Sequence, residues 1–145
     1  MKPNPIPSDC QRVTPYLHVV ETVRMIEFMK RAFGAVEVTR ITMPDGKIAH
    51  ARVKIGDSMI MLSLAHEPWP SHPAMLYHYV ENVDAAYQKA LDEGAESVFA
   101  PMDLFYGDRF AAVKDFAGNH WALASRIEDI TMEEIQKRVS SFGQS

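Results

Sequence analysis

The chain has 145 residues, 47% hydrophobic and 23% charged, with a formal net charge of -4. That is ordinary globular composition at the length of one domain or two short modules, which excludes a disordered or collagen-like chain. No apolar run approaches the ~20 residues that span a bilayer, and no basic stripe marks a nucleic-acid surface, so neither membrane nor nucleic acid is expected as a partner.

Residues 1–12 are polar, carry Pro3, Pro5 and Pro7, and read as a flexible segment. They lack the apolar stretch of a secretory signal, so a cytoplasmic location is the expectation. Cys10 is the single cysteine. An intrachain disulfide and a cysteine-built zinc site are therefore ruled out, and a thiol so near the terminus reads as incidental.

A short strand at Tyr16-Leu-His-Val19 leads into a helical pattern over 22–33, with Val23, Ile26, Met29 and Phe33 as its apolar stripe. Gly34 follows as the capping glycine. Strands are predicted at 37–43, 47–55 and 58–64, turned at Asp45-Gly46 and Gly56-Asp57. Residues 65–74, with His66, Pro68, Trp69, Pro70, His72 and Pro73, read as an irregular linker.

The pattern then starts again. Tyr77-His-Tyr-Val80 precedes a helix over 83–93 with Val83, Ala86, Ala90 and Leu91 as its apolar positions, and Gly94 follows. Strands are predicted at 96–101, 109–114 and 120–125. Thr131 and Glu134 form a capping-box pattern that predicts a short terminal helix. Val23 and Val83, Gly34 and Gly94, and Ala35 and Ala95 each stand sixty residues apart, which points to a duplicated unit. The predicted fold is α+β: two βαβββ modules at 13–64 and 75–126, the linker 65–74, and a C-terminal helix and tail at 127–145.

Strand alternation separates two faces. A two-residue turn at Gly56-Asp57 pairs Ile55 with Ser58 and Arg52 with Met61. Ala51, Val53, Ile60 and Leu62 then bury against the helix, as do Leu17 and Val19. Met59, Met61 and Ser63 lie beside Lys54, Arg52 and His50 on the opposite face. A face so mixed is either solvated or lines a wet cavity, because buried charges need partners. In the second module Leu76, His78 and Val80 share one face, where His78 reads as a core histidine, and Met75, Tyr77 and Tyr79 share the other. Trp121 and Leu123 are core candidates opposed by His120, Ala122 and Ala124. The candidate ligand-binding residues are Tyr16, His18, His50, Arg52, Met61, Tyr77, Tyr79, Arg109 and His120. Aromatic and methionine walls with a few polar groups suit a small molecule; the same residues also fit an edge or interface.

The ordered motifs Thr14-Pro-Tyr-Leu-His-Val, Ile26-Glu-Phe-Met-Lys-Arg-Ala-Phe-Gly-Ala, Pro44-Asp-Gly-Lys, Ile55-Gly-Asp-Ser-Met-Ile-Met-Leu-Ser, Tyr79-Val-Glu-Asn-Val-Asp-Ala-Ala-Tyr, Tyr106-Gly-Asp-Arg and Asp115-Phe-Ala-Gly-Asn-His-Trp run from about residue 13 to 131. In this order they resemble the vicinal oxygen chelate superfamily of glyoxalases, bleomycin-resistance proteins and dioxygenases, and within it the PhnB-like branch. The resemblance implies paired modules in open, barrel-like mixed sheets with the helices outside, commonly as homodimers. It also implies four inward metal-ligand positions, which align with Thr14, Met61, Met75 and Ala122. None of these suits a divalent metal, which prefers imidazole or carboxylate, so neither metal nor cofactor is expected. His18, His50 and His120 face inward, but no local ligand spacing joins them.

Three functions compete. One is sequestration of a small organic molecule in a cavity between the modules, by stacking on Tyr16, Tyr77, Tyr79 and Trp69. Another is a metal-independent lyase or isomerase, with His18, His50 or His120 as base and Arg52 or Arg109 holding an anion. In that reading Asp108 orients Arg109; a loop ion pair of little energetic worth is the alternative. The third is an interaction module without a ligand.

Overall fold

The computed structural model describes residues 2–142 and divides into two compact units, 1–74 and 75–145. In the first, β1 (Tyr16–Val19), α1 (Thr22–Phe33), β2 (Val36–Thr42), β3 (Ile48–Ile55) and β4 (Ser58–Leu64) follow in order. The second runs β5 (Met75–Tyr79), α2 (Val83–Asp92), β6 (Glu96–Asp103), β7 (Asp108–Lys114), β8 (His120–Arg126) and α3 (Met132–Phe142). Each unit forms an open four-stranded sheet, ordered β1-β4-β3-β2 and β5-β8-β7-β6. The first strand of each pairs parallel with the last, and the other pairings are antiparallel. The second unit thus repeats the first element by element, as the sixty-residue spacing predicts.

Local chemistry sets the element ends. Gly34 closes α1 in the left-handed conformation, φ 68°, and donates its N–H to Lys30 O. Asn82 caps α2 by accepting from the Ala85 N–H at 3.0 Å. Thr131 accepts from the Glu134 N–H at 3.1 Å and opens α3.

The hairpin register is the predicted one: Ile55 opposes Ser58, Arg52 opposes Met61 and His50 opposes Ser63. Leu17, Val19, Ala51, Val53 and Leu62 are buried on the helix face. Two expectations are corrected. Val23 is 44% exposed; the buried stripe of α1 is Thr22, Met25, Ile26, Phe28, Met29 and Ala32, rotated away from the predicted one. Met59 shares a face with Lys54 by register yet is only 1% exposed. Gln11 brings the N-terminal segment against the same residue, hydrogen-bonding both its N–H and its C=O.

In the second unit Val83, Ala90, Ala111, Val113, Trp121 and Leu123 are buried. His78 sits among the helix-facing positions, in register with Leu123, and burial pulls its pKa below the ordinary imidazole value of 6.5. The unfolded chain therefore takes up this proton at higher pH than the folded chain. The stability contributed by neutral His78 is whole above about pH 6.5 and is lost as pH falls through the depressed folded value. The melting temperature is expected to decline as buffers go from pH 7 to 5, and His78→Phe should flatten that part of the profile. A wild-type profile that stays level over this range contradicts the assignment.

Candidate ligand-binding faces

In the first unit the face away from α1 is built in rungs. Tyr16, Met61, Arg52 and Thr39 are paired neighbours across β1, β4, β3 and β2; His18, Ser63, His50 and Ile41 form the next rung. Tyr16 stacks on His18 with ring centroids 4.8 Å apart and lies 5.7 Å from the His50 ring. Its hydroxyl shares a 2.5 Å hydrogen bond with Ser63 Oγ. The linker adds a ring that alternation does not reach. His66 N–H bonds to Trp69 O at 2.9 Å, and this tight turn sets the Trp69 indole nearly parallel to His18, 18° apart in plane at 5.9 Å. The result is a ladder of rings, Trp69–His18–Tyr16–His50. Trp69 and Tyr16 are 57% and 43% exposed, so the ladder has open surface for a ligand ring. Burial first, then nearby His72 and His66, hold the His18 pKa below its ordinary value.

In the second unit the matching face carries Met75, Tyr77 and Tyr79 from β5, in register with His120, Ala122 and Ala124 of β8. Ala112 and Phe110 of β7 pair with Ala122 and Ala124. Tyr77 lies 5.3 Å from Tyr79 and 5.9 Å from Phe110, and Phe110 meets Phe99 edge-on at 5.6 Å. The alanines are buried while Tyr77 and Tyr79 stay 45% and 61% exposed, an aromatic surface over a floor of methyl groups. Beside it Asp108, 5% exposed, accepts from the Tyr77 hydroxyl at 3.3 Å, and the Tyr106 hydroxyl lies 3.4 Å from the Tyr77 hydroxyl. Burial, then Tyr106, Asp108 and Tyr79, push the Tyr77 phenol pKa far above its ordinary value, so it stays a neutral donor.

Of the sequence-predicted residues, Tyr16, His18, His50, Arg52 and Met61 share one face of the first unit, and Tyr77, Tyr79 and His120 one face of the second. Arg109 does not join them. It lies on the helix side, where its guanidinium grips Asp84 of α2 through two bonds at 2.7 and 2.8 Å and Asp103 at 2.8 Å. Asp108 projects to the opposite face and does not orient it. The alternation of β7 separates these neighbours, and the same alternation puts the overlooked Phe110 beside Tyr77. Trp69 owes its place to the linker turn, for which the sequence signal was only its Pro-rich character. A depression of about 480 Å³ at the start of α1 is rimmed by exposed Val20, Glu21, Val23, Arg24, Asp45 and Lys47, away from the rings.

The four positions aligned with the family's metal ligands offer one hydroxyl, two thioethers and a methyl group. Thr14 directs its hydroxyl to Gln11 O at 2.9 Å, and Ala122 is buried in the sheet. This donor set does not fit a divalent cation. Among the described residues no three His, Cys, Asp or Glu side chains gather into a group able to hold one.

Duplicated βαβββ units with ring-bearing faces define the class of small α+β proteins to which this chain is assigned. The sequence model of the Glyoxalase/Bleomycin resistance protein/Dioxygenase superfamily matches residues 16–123, and the chain belongs to that family. An uncharacterized protein of Mycobacterium bovis is 35% identical over 142 residues, covering 90% of this chain and 93% of its own. TioX from a Micromonospora species superposes with a TM-score of 0.66 at 23% identity, over 83% of this chain and all of its own. A glyoxalase/bleomycin resistance protein/dioxygenase family enzyme of Burkholderia phytofirmans gives a TM-score of 0.63 at 22% identity, over 79% of this chain and 96% of its own. At that identity the structural likeness concerns the fold. No helix among the described residues is long and apolar enough to cross a membrane.

Proposed function

We propose that this protein binds a small organic molecule by stacking it on its open sheet faces, without the divalent metal of the family's enzymes. The observation that carries the reading is the exposed Tyr77–Tyr79–Phe110 cluster on its buried alanine floor. Exposed rings held by a rigid sheet supply contact area at little conformational cost, and they attract cationic ligands through their π faces. Buried Asp108 beneath the edge adds to that attraction. Within the family, the order of the motifs favours the PhnB-like branch.

A thermal-shift screen with cationic aromatic antibiotics and small carboxylates tests this, because a bound compound raises stability by RT ln(1 + [L]/Kd). Tyr77→Ala and Tyr79→Ala are each expected to weaken binding by about 1 kcal/mol, roughly fivefold, while the free protein keeps its fold. Compounds that bind the double alanine variant as tightly as wild type would remove the aromatic face from the account. One observation favours a second reading, a metal-independent lyase or isomerase: His18 is held towards its neutral form, the state a general base requires. The two readings differ in whether a ligand recovered from the protein is unchanged.

A further inference from the structure

The N-terminal segment, expected to be flexible, lies against the open face of the first unit through residues 9–11. Arg52 donates from one terminal nitrogen to Asp9 Oδ2 at 3.2 Å and to Cys10 Sγ at 3.5 Å, and from Nε to Thr39 Oγ1 at 3.3 Å. Next to them the Gln11 side-chain amide donates to Met59 O at 2.8 Å and accepts from Met59 N–H at 3.2 Å. An amide side chain here makes the two bonds that a neighbouring strand would make to β4, just ahead of the point where β1 takes over at Tyr16 opposite Met61. Residues 9–11 therefore form a strap pinned at two places.

What the strap covers is chemically specific. Arg52 stands in the rung of Tyr16 and Met61, one rung from His18, Ser63 and His50. Its side chain is 22% exposed and Asp9's is 45% exposed. A cationic fork beside a ring ladder is the pattern that recognises a planar carboxylate, and a carboxylate from the chain itself already occupies it. Partly exposed ion pairs are weak, and a short tether holds its group at an effective concentration of order millimolar. A free acid that also stacks on Tyr16 competes on those terms.

We propose that Asp9 is a resident carboxylate, exchanged at Arg52 for the carboxylate of a small aromatic acid, and that the exchange lifts residues 9–11 off the sheet. This rests on the reading that the open sheet faces take ligands, and assigns the first unit's face an anionic one, distinct from the cation-attracting rings of the second, together with the device that gates it. The exchange conserves charge on the guanidinium and forms no covalent bond.

Trypsin reports the strap directly, because Arg12 is exposed and next to Gln11. Cleavage of the Arg12–Val13 bond, followed by mass spectrometry, is expected to accelerate severalfold and saturably with benzoate, and not with its neutral isostere benzamide. Asp9→Asn should be cut faster without any addition and bind benzoate roughly threefold tighter. Arg52→Gln should be cut fast and ignore benzoate. The proposal is overturned if benzoate leaves this cleavage unchanged or slows it, or if benzamide matches it. In the last case, loss of both effects in Tyr16→Ala would leave the ligand-binding reading standing while anion exchange falls.

Discussion

Asp115→Ala is expected to destabilise this protein by about 3–5 kcal/mol, a large part of the roughly 5–15 kcal/mol that holds a domain of this size. The carboxylate is 3% exposed in the turn between β7 and β8. One oxygen accepts from the Ala117 and Asn119 backbone N–H groups at 2.9 and 3.0 Å. The other accepts from Asn119 Nδ2 at 3.1 Å and from Trp121 Nε1 at 2.9 Å. Trp121 is 1% exposed, so its indole N–H has no route to water once the carboxylate is gone. Four donors lose one acceptor together, and each buried donor left without a partner costs about 1–3 kcal/mol. The melting temperature should fall by roughly 10 °C. Asp115→Asn discriminates further. Its amide keeps one acceptor oxygen but turns an NH2 toward two donors, so about half of the loss is expected. A variant pair melting within a degree or two of wild type would show that the turn holds without this network.

Gly107→Ala is the second large effect, and it is local. Gly107 has φ 97°, a conformation that L side chains rarely adopt. A Cβ placed there meets Glu128 O at 2.6 Å, inside any tolerable contact, and that oxygen belongs to backbone rather than to the end of a flexible side chain, so relief is costly. The same glycine carbonyl accepts from the Ile127 and Glu128 N–H groups at 2.9 and 3.2 Å, so the clash displaces the segment it anchors. That segment leads to α3, where Arg138 binds Glu128 at 2.7 and 3.0 Å and Phe105 O at 3.1 Å. A loss of about 2–4 kcal/mol is expected, with faster hydrogen exchange at Ile127 and Glu128. Gly46→Ala is the control. Gly46 has φ 87° with open space around its missing Cβ, so only the backbone strain of about 1–2 kcal/mol applies. Equal destabilisation by the two variants would mean that the contact with Glu128 yields.

Much of this was legible in advance, for identifiable reasons. The hairpin at Gly56-Asp57 admits one register, since a slip by one residue would expose Val53 and Leu62 and bury Arg52. Period-two alternation then placed Tyr16, His18, His50 and Met61 on a common face, and likewise Tyr77 and Tyr79. Helical spacing includes Val23 in the stripe of α1 because two overlapping stripes of apolar residues satisfy it there, and only packing on the sheet selects between them. The sequence reading has Asp108 orient Arg109 as an anion holder, although adjacent residues of a strand point to opposite faces; Asp84, twenty-five residues away, holds it instead.

The amino-acid sequence by itself determined the duplicated βαβββ order, the helix ends and the two faces of each sheet, because periodicity, turn residues and caps act over a few residues. Tertiary structure alone decided that Trp69 completes a ring ladder, that Asp108 meets the Tyr77 hydroxyl, and that Asp9 reaches Arg52. Those contacts join groups whose meeting depends on how the whole backbone closes, and no local pattern encodes that distance.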